Sequence, residues 1–397
     1  MKNLDNYINK EISFRFAGEE FRLGLSHGLF SSNSVDPGTM LLLKSLAKGV
    51  TTEPPRMILD AGCGTGILGI CLKRKYPGAR VILQDRDALA VAFSARNCTL
   101  NKTAVEVRTA LLLETEPDER FDLVVSNIPA KAGTAVLEKF FPSAGDLLTP
   151  GGICAVVIVS TLVPLALKTL EDSGMTLVYR DDSRQHSVLH FRPATPGNRK
   201  APDLSDYIRN KQKFRLGDSW YLLSTVHNVP DFDNTGFRLR NAGKILDRLD
   251  PSGDILVWSP GQGHLPAALA RTGGTRIASI RLAGRDILEL RTSAMNLKDN
   301  GYSGMVSVSP LPAPEALSDN EGGTVDLFVC DFSPVPGSDW CDPLRETALK
   351  ILRGGGRFLL IGESQEMHRF HKNHKGLSIA EDFRNKGYRV ILFTVNS

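Results

Sequence analysis

Through the first half of the chain, short apolar runs rich in Val, Ile and Leu alternate with longer amphipathic stretches. That alternation predicts strands joined by crossover helices. The strands fall near 57 to 60, 81 to 85, 104 to 108, 122 to 126 and 153 to 159. Their near-continuous apolar character is that of parallel strands covered on both faces, so the half reads as a doubly wound α/β unit.

The second half repeats the first after about 200 residues. Phe14-Arg15-Phe16 recurs as Phe214-Arg215-Leu216, and the block 58–72 aligns with 255–269. Further along, 121–133 aligns with 325–337 and 147–159 with 351–363, in the same order. Between the halves, residues 193–203 are rich in Pro and charge and read as a linker. The chain is therefore expected to hold two tandem domains, 1–195 and 203–397, the second a degenerate copy.

Composition narrows the class. Of 397 residues, 42% are hydrophobic and 23% charged, enough to bury more than one core. The longest apolar run, residues 153–167, carries Ser160 and Thr161 and is broken by Pro164, which falls short of a bilayer-spanning helix. The first residues lack the apolar stretch of a secretory signal, so the expectation is a cytoplasmic protein. Six cysteines without a Cys-x-x-Cys pair point to reduced packing residues, and no metal site is expected. The net charge of +4 permits an anionic partner without demanding one.

The chemistry concentrates after the first predicted strand, where Asp60-Ala61-Gly62-Cys63-Gly64-Thr65-Gly66 leads into a helix. Glycines at spacing two let the backbone turn sharply and approach a ligand at a helix amino end. Nineteen residues past Gly66 the next strand ends in Asp85, placed to accept hydrogen bonds from a ribose diol. The set describes a nucleoside-type cofactor site. Gly64, Gly66 and Gly69 also fit the spacing of a dinucleotide site.

Asp60 to Gly66, together with Asp85 and the Ser126-Asn127-Ile128-Pro129-Ala130 block, resembles the class I S-adenosylmethionine-dependent methyltransferases. The resemblance implies Rossmann-like domains, and a cofactor held by Asp60, Gly62, Gly64 and Gly66 at its methionine part and by Asp85 at its ribose. It departs from the family at Arg108-Thr109-Ala110-Leu111, where many members carry an acid that contacts adenine. Asp87 reads as the cap of the following helix.

Methyltransferases acting on exocyclic base amines use an Asn or Asp, two prolines and an aromatic at the end of the fourth strand. This chain keeps Asn127 and Pro129 but has Ile128 and Ala130 in place of the other two. The resemblance implies that Asn127, Ile128 and Pro129 form the catalytic end, with the Asn side chain and a backbone carbonyl orienting the amine. Upstream, Gly28-Leu29-Phe30-Ser31 and Asp36-Pro37-Gly38-Thr39 resemble the segment preceding the cofactor domain of the tandem small-domain ribosomal RNA guanine methyltransferases. Phe30 lines the methyl end of the cofactor in that reading, and is a core residue in the other. The resemblance implies methyl transfer to a guanine amine of ribosomal RNA. The block also resembles that of ribosomal-protein lysine methyltransferases, so a protein amine is the alternative substrate, and a non-catalytic RNA-binding module is a third reading.

The second copy has lost the loop chemistry. Val257 stands for Asp60, Ser259 and Pro260 for Gly62 and Cys63, and Gly284 for Asp85. It is expected to be folded and non-catalytic, presenting a surface to RNA. From Arg192 to Arg215 there are seven Lys or Arg against two Asp, and 368–375 interleaves cations with Phe370, patterns suited to phosphate contact and base stacking.

Overall fold

A computed structural model describes residues 4–49, 53–129, 133–194, 203–319 and 322–396. Most of the predicted linker, 195–202, and Ala130 lie outside the described residues. The chain forms two compact units, one of Tyr7–Tyr207 and one of Ile208–Ser397 with residues 4–6. These differ from the sequence boundaries 1–195 and 203–397 at both ends. Asn6 exchanges two hydrogen bonds with the main chain of Asp339, at 2.6 and 2.9 Å. Asp206 stays with the first unit through its ion pair to Lys139 at 3.3 Å.

The first unit opens with a hairpin, β1 (Lys10–Phe16) and β2 (Glu19–Leu25), followed by α1 (Pro37–Ala47). Then come β3 (Met57–Ala61), α2 (Ile67–Lys75), β4 (Arg80–Asp85), α3 (Ala88–Leu100), β5 (Glu106–Thr109), β6 (Phe121–Asn127) and α4 (Thr134–Asp146). It closes with β7 (Leu148–Val159), α5 (Val163–Asp172), β8 (Met175–Asp182) and β9 (His186–Pro193). The seven-stranded sheet runs β5-β4-β3-β6-β7-β9-β8. The five strands expected from apolar runs form its parallel part, and β9 and β8 add an antiparallel edge. β8 was not expected from the sequence: its apolar run, Leu177–Tyr179, is only three residues long, and none of its residues is buried. Strand order reverses between β3 and β6, which opens a crevice at their carboxyl ends.

The second unit repeats this plan. Its hairpin is β10 (Ile208–Leu216) and β11 (Ser219–Val226), followed by α6 (Phe237–Leu246), β12 (Gly253–Trp258), α7 (His264–Gly273), β13 (Ile277–Gly284) and α8 (Ile287–Asp299). After these come β14 (Met305–Pro310), β15 (Val325–Asp331), α9 (Cys341–Ile351), β16 (Leu352–Glu363), α10 (Ser364–Lys372), β17 (Leu377–Asn385) and β18 (Tyr388–Val395). The sheet order, β14-β13-β12-β15-β16-β18-β17, is the same.

The duplication extends to a specific polar device. Asn97 on α3 accepts from the Gly24 N–H at 2.8 Å and donates to the carbonyls of Gly24 and Thr65. Asn101, one turn on, pairs likewise with both main-chain groups of Arg22. On α8, Asn296 and Asn300 bond Ser224 and Leu222 in the same way. The i, i+4 amides act as a partner strand for the hairpin, satisfying main-chain groups that would otherwise be buried unpaired. Among the described residues no helix is long and apolar enough to cross a membrane.

Candidate active site

Asp60 and the glycine loop close the carboxyl end of β3. The Asp60 side chain is fully buried, and its Oδ2 accepts from the Gly69 N–H at 2.8 Å. Its Oδ1 has no partner among the described residues. Burial pushes this carboxyl up to about 7, against the pull of the Gly69 N–H and with the help of the Asp85 charge. Gly62, Gly64 and Gly66 all take left-handed φ, +75°, +56° and +82°. Their needs differ beyond that. A Cβ on Gly66 meets Leu83 and Ser94 at 3.0 Å, so that glycine is required by packing against the core. A Cβ on Gly64 meets nothing within 4 Å, so its main chain faces open space where a ligand can approach. Gly69 sits in α2, where a Cβ would come within 2.4 Å of Leu83. Its place in a dinucleotide spacing is therefore accounted for by helix–sheet packing.

Asp85, at the end of β4, holds the loop together before it holds any ligand. Its Oδ2 accepts from the Gly64 N–H at 2.9 Å and its Oδ1 from the Asp87 N–H at 3.0 Å. Each oxygen keeps a second lone pair. Burial pushes the carboxyl up to about 6, opposed by those two N–H donors. Asp87 caps α3 through the Leu89 N–H at 2.8 Å, as its position implied.

The neighbouring Gln84 was not singled out by the sequence reading. It is fully buried, donates to the carbonyls of Leu111 and Leu112 and accepts from Arg108 Nε at 3.1 Å. Its main-chain carbonyl receives the N–H groups of both Gly62 and Cys63. Gln84 thus ties the glycine loop to the segment after β5. Arg108 is held by Glu119 at 2.8 Å.

Asn127 ends β6, across the crevice from these groups in strand order. Its Nδ2 donates to Asp36 Oδ2 at 3.0 Å and to Thr39 Oγ1 at 2.8 Å. Asp36 also caps α1 through the Thr39 N–H at 2.9 Å, with Pro37 pre-set in the first turn. With both amide hydrogens engaged, Oδ1 makes no hydrogen bond among the described residues. Ile128 is buried and its N–H bonds the Val157 carbonyl at 3.0 Å, which fixes the chain direction entering the exposed Pro129. Phe30 is 63% exposed in the segment between β2 and α1, which removes the core reading. The signal that could have found Asp36 and Thr39 was present as a helix-start signature, but nothing local ties it to Asn127.

The second unit is built differently at the corresponding place. Val257 and the buried Trp258 end β12, and Ser259 closes onto the Ala283 carbonyl at 2.8 Å beside Gly284. Asp331, the counterpart of Asn127, is buried and pairs with Arg238 Nε at 3.2 Å, and Arg238 also reaches Asp231 at 3.4 Å. Burial pushes the Asp331 carboxyl up to about 6, opposed by Arg238. An internal cation pairs with Asp331 Oδ2 at this position, while Asp331 Oδ1 is buried without a partner among the described residues. Among the described residues no group of three or more His, Cys, Asp or Glu is placed to hold a metal ion.

Residues 20–174 match the family model of the methyltransferase small domain. Over 139 residues the chain is 37% identical to the ribosomal RNA small subunit methyltransferase C of Pseudomonas putida (strain W619), covering 34% of this chain and 40% of that protein. The protein of the same name from Hahella chejuensis is 35% identical over 135 residues, 33% of this chain and 38% of that one. The chain thus spans less than half the length of the curated relatives it matches. A solved structure of a T. thermophilus 16S rRNA N2 methyltransferase, in complex with AdoMet and guanosine, superposes with a TM-score of 0.68 over 99% of this chain and 100% of that chain. At 20% identity this likeness is one of fold, and the fold is a tandem of two Rossmann-like units.

Proposed function

We propose that this chain, with a methyltransferase small domain over residues 20–174, is an S-adenosylmethionine-dependent methyltransferase that methylates an exocyclic amine, most specifically that of a guanine in ribosomal RNA. The observation that carries the reading is the fixed amide of Asn127, whose nitrogen is spent on Asp36 and Thr39 and whose oxygen is left to accept. The cofactor assignment is supported by the cradle opposite. Gly64 presents main chain to open space, Asp60 Oδ1 is buried without a partner among the described residues, and Asp85 has acceptor capacity left after holding its own loop. In this reading Asp60, Gly62, Gly64 and Gly66 hold the methionine part, Asp85 the ribose, and Phe30 and Asn127 lie at the methyl end.

When bound, the cofactor supplies a methyl made electrophilic by its sulfonium. The protein's part is positioning. Asn127 Oδ1 and the Ile128 carbonyl accept the two amine N–H groups, which turns the nitrogen lone pair toward the transferring carbon. Pro129 narrows the conformations open to Ile128 and so stiffens that carbonyl. Asp36 is already engaged by the Thr39 N–H and by Asn127, so it acts as a positioning residue and not as a base. The second unit serves substrate recognition, its counterpart of Asn127 being a carboxylate paired with Arg238.

The test is methyl transfer from labelled S-adenosylmethionine to total RNA and total protein of a strain lacking the gene. Label in small-subunit ribosomal RNA, lost in D85A and N127A, supports the reading. Label in protein alone transfers the chemistry to a protein amine, and label in neither ends the enzyme reading.

A further inference from the structure

The duplication supplies an internal control for the hairpins, because positions that correspond in the two units are free to diverge. The two hairpins correspond residue for residue. Arg15 faces Glu20 and Ser13 faces Arg22 in the first, and Arg215 faces Trp220 and Lys213 faces Leu222 in the second. On the outward face of the first hairpin the charges cancel, Glu11 and Glu20 against Arg15 and Arg22, and Glu11 is held by Arg22 at 3.2 Å and Arg96 at 2.7 Å. The same face of the second carries Lys211, Lys213 and Arg215 and no acid on its strands, the turn residue Asp218 being the acid beside Arg215, with an indole where its twin has Glu20.

Trp220 is 56% exposed, although it is among the residue types most costly to leave in water. The Arg215 guanidinium lies 5.8 Å from its ring centroid. The Lys213 side chain makes no hydrogen bond or ion pair among the described residues. Lys211 and Arg215 are paired with Asp299 and Asp218, both at 2.9 Å, but these are exposed pairs worth little in water, and a phosphate can replace the carboxylate. Cations at alternate strand residues repeat every ~6.6 Å along one face, a spacing that an extended polyanion can follow. An open aromatic face among such cations is what binds unpaired bases in single-stranded nucleic acid.

We propose that the outward face of the second unit's hairpin, Lys211, Lys213, Arg215 and Trp220, binds single-stranded RNA, with a base stacked on Trp220 and the backbone phosphates along the cations. The choice of RNA rests on the reading of the substrate given above. The surface itself rests on the contrast between the two hairpins.

The other two tryptophans, Trp258 and Trp340, are buried, so Trp220 is the one whose emission a stacked base can quench. The full chain is titrated with a short unstructured oligouridylate, with inorganic polyphosphate and with polyglutamate. Oligouridylate is expected to quench and to bind with strong salt dependence, and polyphosphate to bind without quenching. W220A should lose between about fivefold and a hundredfold in oligouridylate affinity, and W220F should retain most of it. The K213E/R215E double variant should weaken binding and flatten the salt slope. Absence of quenching, wild-type affinity in both W220A and K213E/R215E, or equal quenching by polyglutamate overturns the proposal. Methyl transfer to RNA is measured on the same preparations. RNA that is methylated and yet bound equally by W220A and K213E/R215E sinks the hairpin and spares the enzyme reading, and label in protein alone sinks the RNA substrate whatever the emission does.

Discussion

Asn127 and Asp36, 91 residues apart in the chain, meet through Nδ2 and Oδ2 at 3.0 Å, and the same Asp36 oxygen caps α1. One carboxylate thus sets both where a helix begins and which way a neighbouring amide points. The second unit answers the same geometric problem differently. Its β15 ends in a carboxylate, Asp331, and α6 supplies Arg238 to neutralise it. The first arrangement leaves Asn127 Oδ1 without a hydrogen bond among the described residues, and the second neutralises its carboxylate with an internal cation.

Removing the Asn127 side chain should slow methyl transfer by about a hundredfold while leaving cofactor affinity unchanged, because it orients the amine and does not hold the donor. T39V removes one of the two acceptors that fix the amide, and a smaller fall, roughly fivefold for one hydrogen bond, is expected. Single-turnover rates alongside cofactor calorimetry separate the two effects. A full-speed N127A would refute the assigned role.

D85A should weaken S-adenosylmethionine binding by about 1 to 3 kcal/mol through loss of charge-assisted hydrogen bonds to the ribose. Because Asp85 also receives the Gly64 N–H, the loop loses a tether as well. Titration calorimetry reads the change, and an unaltered Kd would put the ribose elsewhere.

The pH dependence of cofactor binding follows from the same group. Asp85 sits at about 6 in the free protein, raised by burial. An ionised carboxylate is the stronger acceptor, so affinity should rise as pH goes from 5 to 7. D85N should remove that part of the slope. Any remainder belongs to Asp60, pushed by burial to about 7, and should vanish in D60N. For fold stability the sign is opposite. A carboxyl raised above its unfolded value contributes stability below about pH 4 that is lost as pH climbs through its folded value, so the ligand-free protein should become relatively less stable than D60N between pH 4 and 7. Urea midpoints across that range would reveal a flat difference if the Asp60 carboxyl were not buried as described.

R238A should destabilise the second unit by roughly 3 kcal/mol. It strands a buried carboxylate, at the low end of the range for broken buried pairs because Arg238 keeps 29% of its side chain exposed. The R238M/D331L double variant should recover most of the loss. Denaturant unfolding measures both, and additive losses in the double variant would mean the two groups do not act as a pair.

Much of the fold could be read from the chain because the information is local. Apolar runs of three or more residues located β3, β4, β6 and β7, whereas β8, whose run Leu177–Tyr179 is as long as that of β3, has no buried residue and was not expected. The loop was legible for a similar reason, since left-handed φ at Gly62, Gly64 and Gly66 selects glycine whatever surrounds it. Phe30 was not, because its exposure depends on what packs beside the segment and not on its residue type.

By itself, then, the sequence determined the duplication, the alternation of strand and helix, and the acid and glycines at the end of β3, all of which follow from periodicity and backbone conformation. Only the tertiary structure decided that Asn127 is gripped by Asp36 and Thr39, that Gln84 ties two loops together, that Asp60 keeps an oxygen without a partner among the described residues, and that Arg238 pairs with Asp331 in the second unit. The physical reason is that a side-chain hydrogen bond needs two groups within about 3 Å, and for residues on separate strands and helices that distance is set by packing and not by their separation along the chain.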